Sequence, residues 1–548
     1  MNQTLDADVL IVGAGPVGMA MAMDFDRRGI NCIVVERRAF KELPSVKCNH
    51  VSARTMESFR RLGVAELLRH AGLPEDFEHS VAFRTTVTGP ELSRVYIPSR
   101  GKRFTDRSGP DGWWPTPELP HRINQIYLEP LLQEHLTTLK HVRLLNRHEV
   151  TGFEQDEEGV TTSLTELATG AAQSFRTRFI VGCEGGRSIV RKAIGAKLLG
   201  TPVIQHVQST CIRAPQLLEM IPHAAAWGVY AINPRRSGTL YAIDGRDTWL
   251  VHNHVHPSEG DGADVDRDQG IRDILGVGPD FHYEVVSKED WVARRLVADR
   301  FRDRRAFIAG DSAHLWVPYA GYGMNAGISD GLNLSWYLSA FLRGWAGAGI
   351  LDAYQRERMP ITEQVSRFAM DHAQALIRMR GAVPDGIEAE GPEGDAIRAE
   401  VGRKAYELNV QQFCCAGLNF GYFYDDSPLI AYDGQKQPDY SMGGFTASTV
   451  PGCRVPHFWL RDGRSLYDAF GDDYTLLRAD ATVDVQALVD AARTRGMPLT
   501  LVDVAAEDLP PAYCNKLVLC RSDLHVAWRG DVVPAQPLGL IDRLRGET

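Results

Sequence analysis

Three glycines at fixed spacing, Gly13-x-Gly15-x-x-Gly18, stand between the apolar run 9–12 and a stretch of small, helix-forming residues. A second apolar run, 33–35, ends on Glu36, 18 positions after Gly18. Strand, tight turn, helix and strand in this order form a dinucleotide fingerprint. Gly13 permits the turn. Gly15, beside Pro16 and Val17, lets the backbone approach a pyrophosphate at the positive helix N-terminus. Gly18 allows the helix to pack closely on the strand, and Glu36 is placed to take ribose hydroxyls.

Two further glycine turns follow buried strands. Residues 179–182 run into Cys183-Glu184-Gly185-Gly186-Arg187-Ser188. Residues 305–309 run into Gly310-Asp311, followed by Pro318 and by Gly321-Tyr322-Gly323-Met324-Asn325. Lys47 and Arg54 are cations near the expected pyrophosphate, or else solvated surface charges. Arg122 precedes Gln125 by one turn and can bind an anion or sit in a salt bridge. His50 lies between those cations and the helix at Arg54. Tyr319 sits beside the third turn. Trp113 and Trp114 read as core.

These residues need elements to hold them. Helices are expected at 54–62, with Met56, Phe59 and Leu62 facing the core, at 126–139, at 328–341 and over 352–380. Residues 80–120 and 142–182 look strand-rich. Residues 200–295 break the βαβ rhythm and read as an inserted antiparallel sheet. Its clearest hairpin spans 239–254 around Asp244-Gly245-Arg246-Asp247, with glycine where a type II′ turn needs it. With Asp244 opposite Asp247, one face carries Tyr241, Ile243, Leu250, His252 and His254, and the other Leu240, Ala242, Trp249 and Val251. Residues 381–400, rich in Gly, Pro and Glu, read as a mobile loop. A final unit begins near Thr446, with strands at 474–478, 499–503 and 516–520 and a helix at 484–495.

A length of 548 residues suggests three to four domains, and 44% hydrophobic with 24% charged residues is ordinary for a globular protein. The net charge of −10 argues against nucleic acid or an anionic membrane as partner. No apolar run is long enough to span a bilayer, and the acidic N-terminus is unlike a signal peptide. Nine cysteines without a C-x-x-C suit a reducing cytoplasm and offer no metal framework.

Taken together, the three glycine motifs, in order and in context, resemble the class A FAD-dependent aromatic hydroxylases, the para-hydroxybenzoate and phenol hydroxylase family. The chain is most similar to the phenol and 3-(3-hydroxyphenyl)propionate hydroxylase branch. That branch carries a C-terminal thioredoxin-like domain, matched here by Pro451-Gly452-Cys453-Arg454-Val455-Pro456-His457 and Val526-Ala527-Trp528-Arg529. The resemblance implies an α/β fold: a Rossmann-like FAD-binding domain in segments 1–80, 121–195 and 296–380. Strands 81–120 and the sheet 196–295 would bind substrate, 381–445 would connect, and 446–548 would be thioredoxin-like without a redox dithiol.

The resemblance also implies roles. Glu36 and Arg37 would hold the adenosine ribose, Lys47 and Gln125 would touch the flavin, and Asp311 would accept from a ribityl hydroxyl. The backbone at Gly323, Met324 and Asn325 would stabilise charge on the flavin ring, beside Pro318. NADH or NADPH would reduce FAD, O2 would add at flavin C4a, and the hydroperoxide would hydroxylate a small phenolic substrate. An alternative is epoxidation, Baeyer–Villiger oxidation or decarboxylative hydroxylation of a polyketide-like molecule. A histidine of pKa near 7 would suit ionisation of the phenol. His252 leads His50 for that role, with Tyr241, Arg122 and Tyr319 as further candidates. Three departures from the family pattern stand out: Glu184 for aspartate, Tyr322 for glutamine and Lys47 for arginine. A homodimer is the expected assembly.

Overall fold

A computed structural model describes residues 4–46, 50–317 and 321–547. Strand Ala7–Val12 is the buried centre of an eight-stranded sheet. It pairs in parallel with Cys32–Glu36 on one side and Ala172–Gly182 on the other. The path runs Arg302–Asp303, Ala306–Ile308, Ala172–Gly182, Ala7–Val12, Cys32–Glu36, Val142–Asn146. Near-continuous apolar runs form these central strands because both of their faces are buried. Helix Pro16–Arg27 and helix Tyr322–Leu342 cross at Gly327, where a Cβ would lie 2.8 Å from Val17 and 2.9 Å from Gly310. That close crossing brings the first and third glycine motifs together.

A nine-stranded sheet holds the inserted segment. Its strands are antiparallel except where Gly228–Ala231 pairs in parallel with Val81–Arg84. The hairpin of Gly238–Ala242 and Thr248–His254 has the expected register, with Tyr241 opposite Leu250 and Thr239 opposite His252. Asp244 fixes it by accepting from the backbone of Arg246, Asp247 and Thr248, and Gly245 takes a φ of +70°. Leu240, Ala242, Trp249 and Val251 pack in one core, leaving Tyr241 and His252 on the opposite face.

In the C-terminal unit Leu499–Asp503 pairs in parallel with Tyr474–Arg478 across helix Gln486–Thr494. Leu517–Cys520 and Val526–Gly530 then add antiparallel. The unit is welded to the rest of the chain. Tyr474 packs on Trp336 with ring centroids 5.6 Å apart, and the fully buried Arg521 and Glu357 pair through two 2.7 Å hydrogen bonds.

Four expectations change. Helix Tyr322–Leu342 starts six residues before 328, because Gly321 enters the left-handed region (φ +61°) and launches it at once. Helix Gln125–Leu136 starts one residue before 126 and ends three before 139. Residues 392–400 are helix, not loop: Pro392 occupies the first turn of Pro392–Phe413, with Glu393 and Asp395 at its positive end. Trp114 is core as expected, whereas Trp113 is 59% exposed.

Candidate functional site

One cavity of about 1070 Å³ runs from the first glycine turn to the hairpin face. At its first end Gly13 takes φ +101°, and a Cβ on Gly18 would lie 2.1 Å from the Gly13 carbonyl oxygen. Gly15 caps helix Pro16–Arg27, and a Cβ there would meet no protein atom within 4 Å. It would enter the cavity instead, so the cradle is shaped for something outside the chain. The buried Glu36 accepts from the backbone of Ala14 (2.8 Å) and Arg38 (3.0 Å).

Arg38, which the sequence reading passed over, bridges Glu36 (3.2 Å) and Glu129 (2.8 Å). Those carboxylates raise its pKa against the burial that lowers it. Arg37 reaches outward instead, with its side chain 72% exposed and 3.1 Å from Glu149. It remains on the cavity rim. Gln125 opens helix Gln125–Leu136 on the cavity wall and donates to Glu129 (3.1 Å). Nothing in the sequence separates the adjacent arginines, since strand alternation stops at Glu36.

The middle motif has a structural answer to its glutamate. Glu184 accepts from Ser188 (2.7 Å) and the backbone of Val190 (2.9 Å), holding the turn of helix Ile189–Ala193. Its other oxygen reaches Ser312 (3.1 Å) in the third motif. The extra methylene thus ties two motifs together. Tyr322 turns its hydroxyl away from the cavity to the Leu418 carbonyl.

Asp311 is exposed on the cavity wall beside Gly310. Behind them lies a buried network that local sequence does not reveal. Asp330 accepts from the Gly310 backbone (3.3 Å) and meets His314 (2.6 Å) and Arg358 (2.8 Å). Gly321, Gly323 and Met324 bring the N-terminus of helix Tyr322–Leu342 to the cavity. The Asn325 side chain ties that turn to the opposite segment. It donates to the His50 (3.1 Å) and Gly321 (2.6 Å) carbonyls and accepts from the Ser52 backbone (2.9 Å).

His50 lines the cavity against Gly321. Arg122 stands directly behind it, with Nη1 2.5 Å from His50 Nδ1 and its guanidinium carbon 4.0 Å over the Trp227 ring. At the far end the sheet presents Trp227, Tyr230, Thr239, Tyr241, His252 and His254. His252 stands edge-to-face with Tyr241 and Trp291, each at 5.7 Å. Tyr241 and Tyr230 hydroxyls lie 3.2 Å apart. Burial, and then the nearby Arg380 charge, lower the His252 pKa to about 4. Burial likewise holds His50 well below its ordinary value, with Arg122 acting in the same sense.

Two expectations are therefore corrected. Neither histidine is poised near pH 7, because both are desolvated beside an arginine. Arg54 does not line this cavity: from helix Ala53–Arg61 it stacks at 4.3 Å over Tyr422 and donates to the Asp523 carbonyl (3.3 Å). It lines a separate cavity of about 290 Å³ against the C-terminal unit. Lys47, Pro318 and Tyr319 lie outside the described residues.

With this geometry in hand, comparison with known proteins is specific. The FAD binding domain family matches residues 6–369. A putative polyketide hydroxylase of Streptomyces halstedii is 31% identical, over 96% of this chain and 94% of that protein. The phenol 2-monooxygenase of Pseudomonas sp. (strain EST1001) is 28% identical, over 100% and 94%. The structure of the rebeccamycin biosynthetic enzyme RebC with reduced flavin aligns over 100% of both chains, with a TM-score of 0.89 at 33% identity.

Proposed function

The chain belongs to the FAD binding domain family, and we propose that it is an FAD-dependent monooxygenase that inserts one oxygen atom of O2 into an aromatic ring at the expense of NADH or NADPH. The observation that carries this is the single cavity joining the dinucleotide turn to an aromatic, histidine-bearing sheet face. The residues present fit FAD: the open cradle at Gly15 for its pyrophosphate, Glu36 for its ribose, Asp311 for its ribityl chain. The N-terminus of helix Tyr322–Leu342 suits its ring. Bound there, FAD supplies the redox and oxygen chemistry that no side chain offers.

The chain's own work is binding, orientation and exclusion of water. Trp227, Trp291 and Tyr230 wall the substrate end. Tyr241 and His252 share one strand face, where they can hold a substrate hydroxyl by hydrogen bonds. His252 is neutral at pH 7, so it orients that hydroxyl and is a weak base. A second reading, tailoring oxygenation of a multi-ring, polyketide-like substrate, is favoured by the cavity volume of about 1070 Å³ and by the polyketide hydroxylase relative. The C-terminal unit reads as thioredoxin-like and structural, supported by its buried Cys453 and Cys520. A homodimer and a cytoplasmic setting complete the proposal. The setting is supported by eight cysteines with no disulfide among the described residues. No helix among them is long and apolar enough to cross a membrane.

The test is NAD(P)H oxidation with O2 consumption across simple phenols and fused-ring hydroxyquinones. Stimulation by an aromatic that is itself oxygenated is expected; a flavoprotein indifferent to every aromatic would contradict the proposal. With a competent substrate, the pH profile should show no histidine inflection near ~6.5. His252→Ala should divert about tenfold more reducing equivalents to H2O2, the worth of one hydrogen bond near 1.4 kcal/mol. Full coupling in that variant would remove His252 from substrate orientation.

A further inference from the structure

Arg122 carries a buried charge with the Trp227 ring beside it but no carboxylate paired to it among the described residues. It is 4% exposed, and its guanidinium forms no ion pair among the described residues. The nearby carboxylate, Asp111, is taken by Arg103 in a buried pair. Burial, then Arg103, lower the Arg122 pKa to about 10, which leaves it charged at pH 7. A buried charge without an ionic partner is destabilising. Such a group is explained if it acts on something outside the polypeptide.

The contact with His50 says how. A guanidinium only donates, so His50 Nδ1 accepts, and the neutral imidazole must carry its proton on Nε2. His50 is thus an oriented donor. It packs on the turn that starts helix Tyr322–Leu342, where a Cβ on Gly321 would lie 3.0 Å from its own Cβ. The helix N-terminus and the Arg122–His50 pair therefore bring positive potential to the same stretch of cavity.

We propose that His50 donates to the flavin ring region and that Arg122, acting through His50 as a positioning residue, stabilises the negative charge the ring gains on reduction. Two electrons and one proton enter the oxidised ring, which is left with one net negative charge and needs no further proton. The proposal rests on the FAD reading above.

The experiment is a dye-equilibration measurement of the two-electron reduction potential of holoenzyme. Arg122→Met should lower the potential by about 30 mV or more, a tenfold loss in the reduction equilibrium. Arg122→Lys and His50→Gln, which keep a cation and an N–H donor, should retain most of the parental value. If Arg122→Met fails to fold, His50→Leu carries the same expected drop. Thermal unfolding of the apo-protein supplies a second readout. Arg122→Met should match or exceed the parent, because it removes a buried charge without an ionic partner; a merely structural arginine would lower it. A parental potential in both Arg122→Met and His50→Leu overturns the pair while leaving the FAD reading intact. Equal drops in Arg122→Lys and Arg122→Met also overturn it. Parent protein unable to bind FAD overturns both readings.

Discussion

Gly15→Val should yield folded but colourless protein. The backbone at Gly15 has φ −74° and ψ 177°, a region open to valine. No protein atom lies within 4 Å of the new Cβ, so the fold has nothing to rearrange. The added methyls instead occupy the approach to the pyrophosphate. FAD affinity should fall by roughly 10²-fold or more, about 2.8 kcal/mol. Flavin absorbance per chain reads the binding, and circular dichroism reads the fold. Gly18→Val is the contrasting control, since its Cβ would strike the Gly13 carbonyl at 2.1 Å and prevent folding. Stoichiometric FAD in folded Gly15→Val would show that the cofactor lies elsewhere.

The contrast between these two glycines shows what could be read from sequence. Gly13, Gly15 and Gly18 are set by local geometry, and strand, turn and helix follow within thirty residues. The hairpin register was legible for the same reason. Asp244 and Gly245 specify the turn, and a period of two then assigns Tyr241 and His252 to one face. Long-range partners were not legible. Arg54 resembled a phosphate ligand, but Tyr422 and Asp523, more than 360 residues away, claim it. His50 looked like a base because the sequence gives no sign of Arg122 at 2.5 Å. Asp330, which joins His314 and Arg358 beneath the third motif, is an unremarked helix residue until the chain folds. Composition misled at 391–400, where glycine and proline signal a helix start as readily as a loop.

Desolvated histidines make a second large effect, acid lability. Lowering the pH from 7 to about 5 should weaken the fold steeply, ahead of most carboxylate titration. His121 and His457 are held to about 3 and His525 to about 4, in each case chiefly by burial. Arg69 adds to the effect at His121 and Arg454 at His457, while Asp523 opposes it at His525 without prevailing. The unfolded chain takes up these protons near ~6.5, whereas the folded chain waits until pH 4 or 3. Between those limits the unfolded state binds more protons, so stability falls as pH falls. Below both values the two states bind equally and the loss levels off. Each histidine removes on the order of 2 kcal/mol by pH 5, against a total stability of about 5–15 kcal/mol. The unfolding free energy from urea titrations should therefore fall sharply between pH 6.5 and 5. His457→Gln, whose amide can keep the hydrogen bond to Ser465, should reduce the slope by about one proton. An unfolding free energy that stays flat from pH 7 to 5, or a slope unchanged in that variant, would mean these rings are already charged or solvated in the fold.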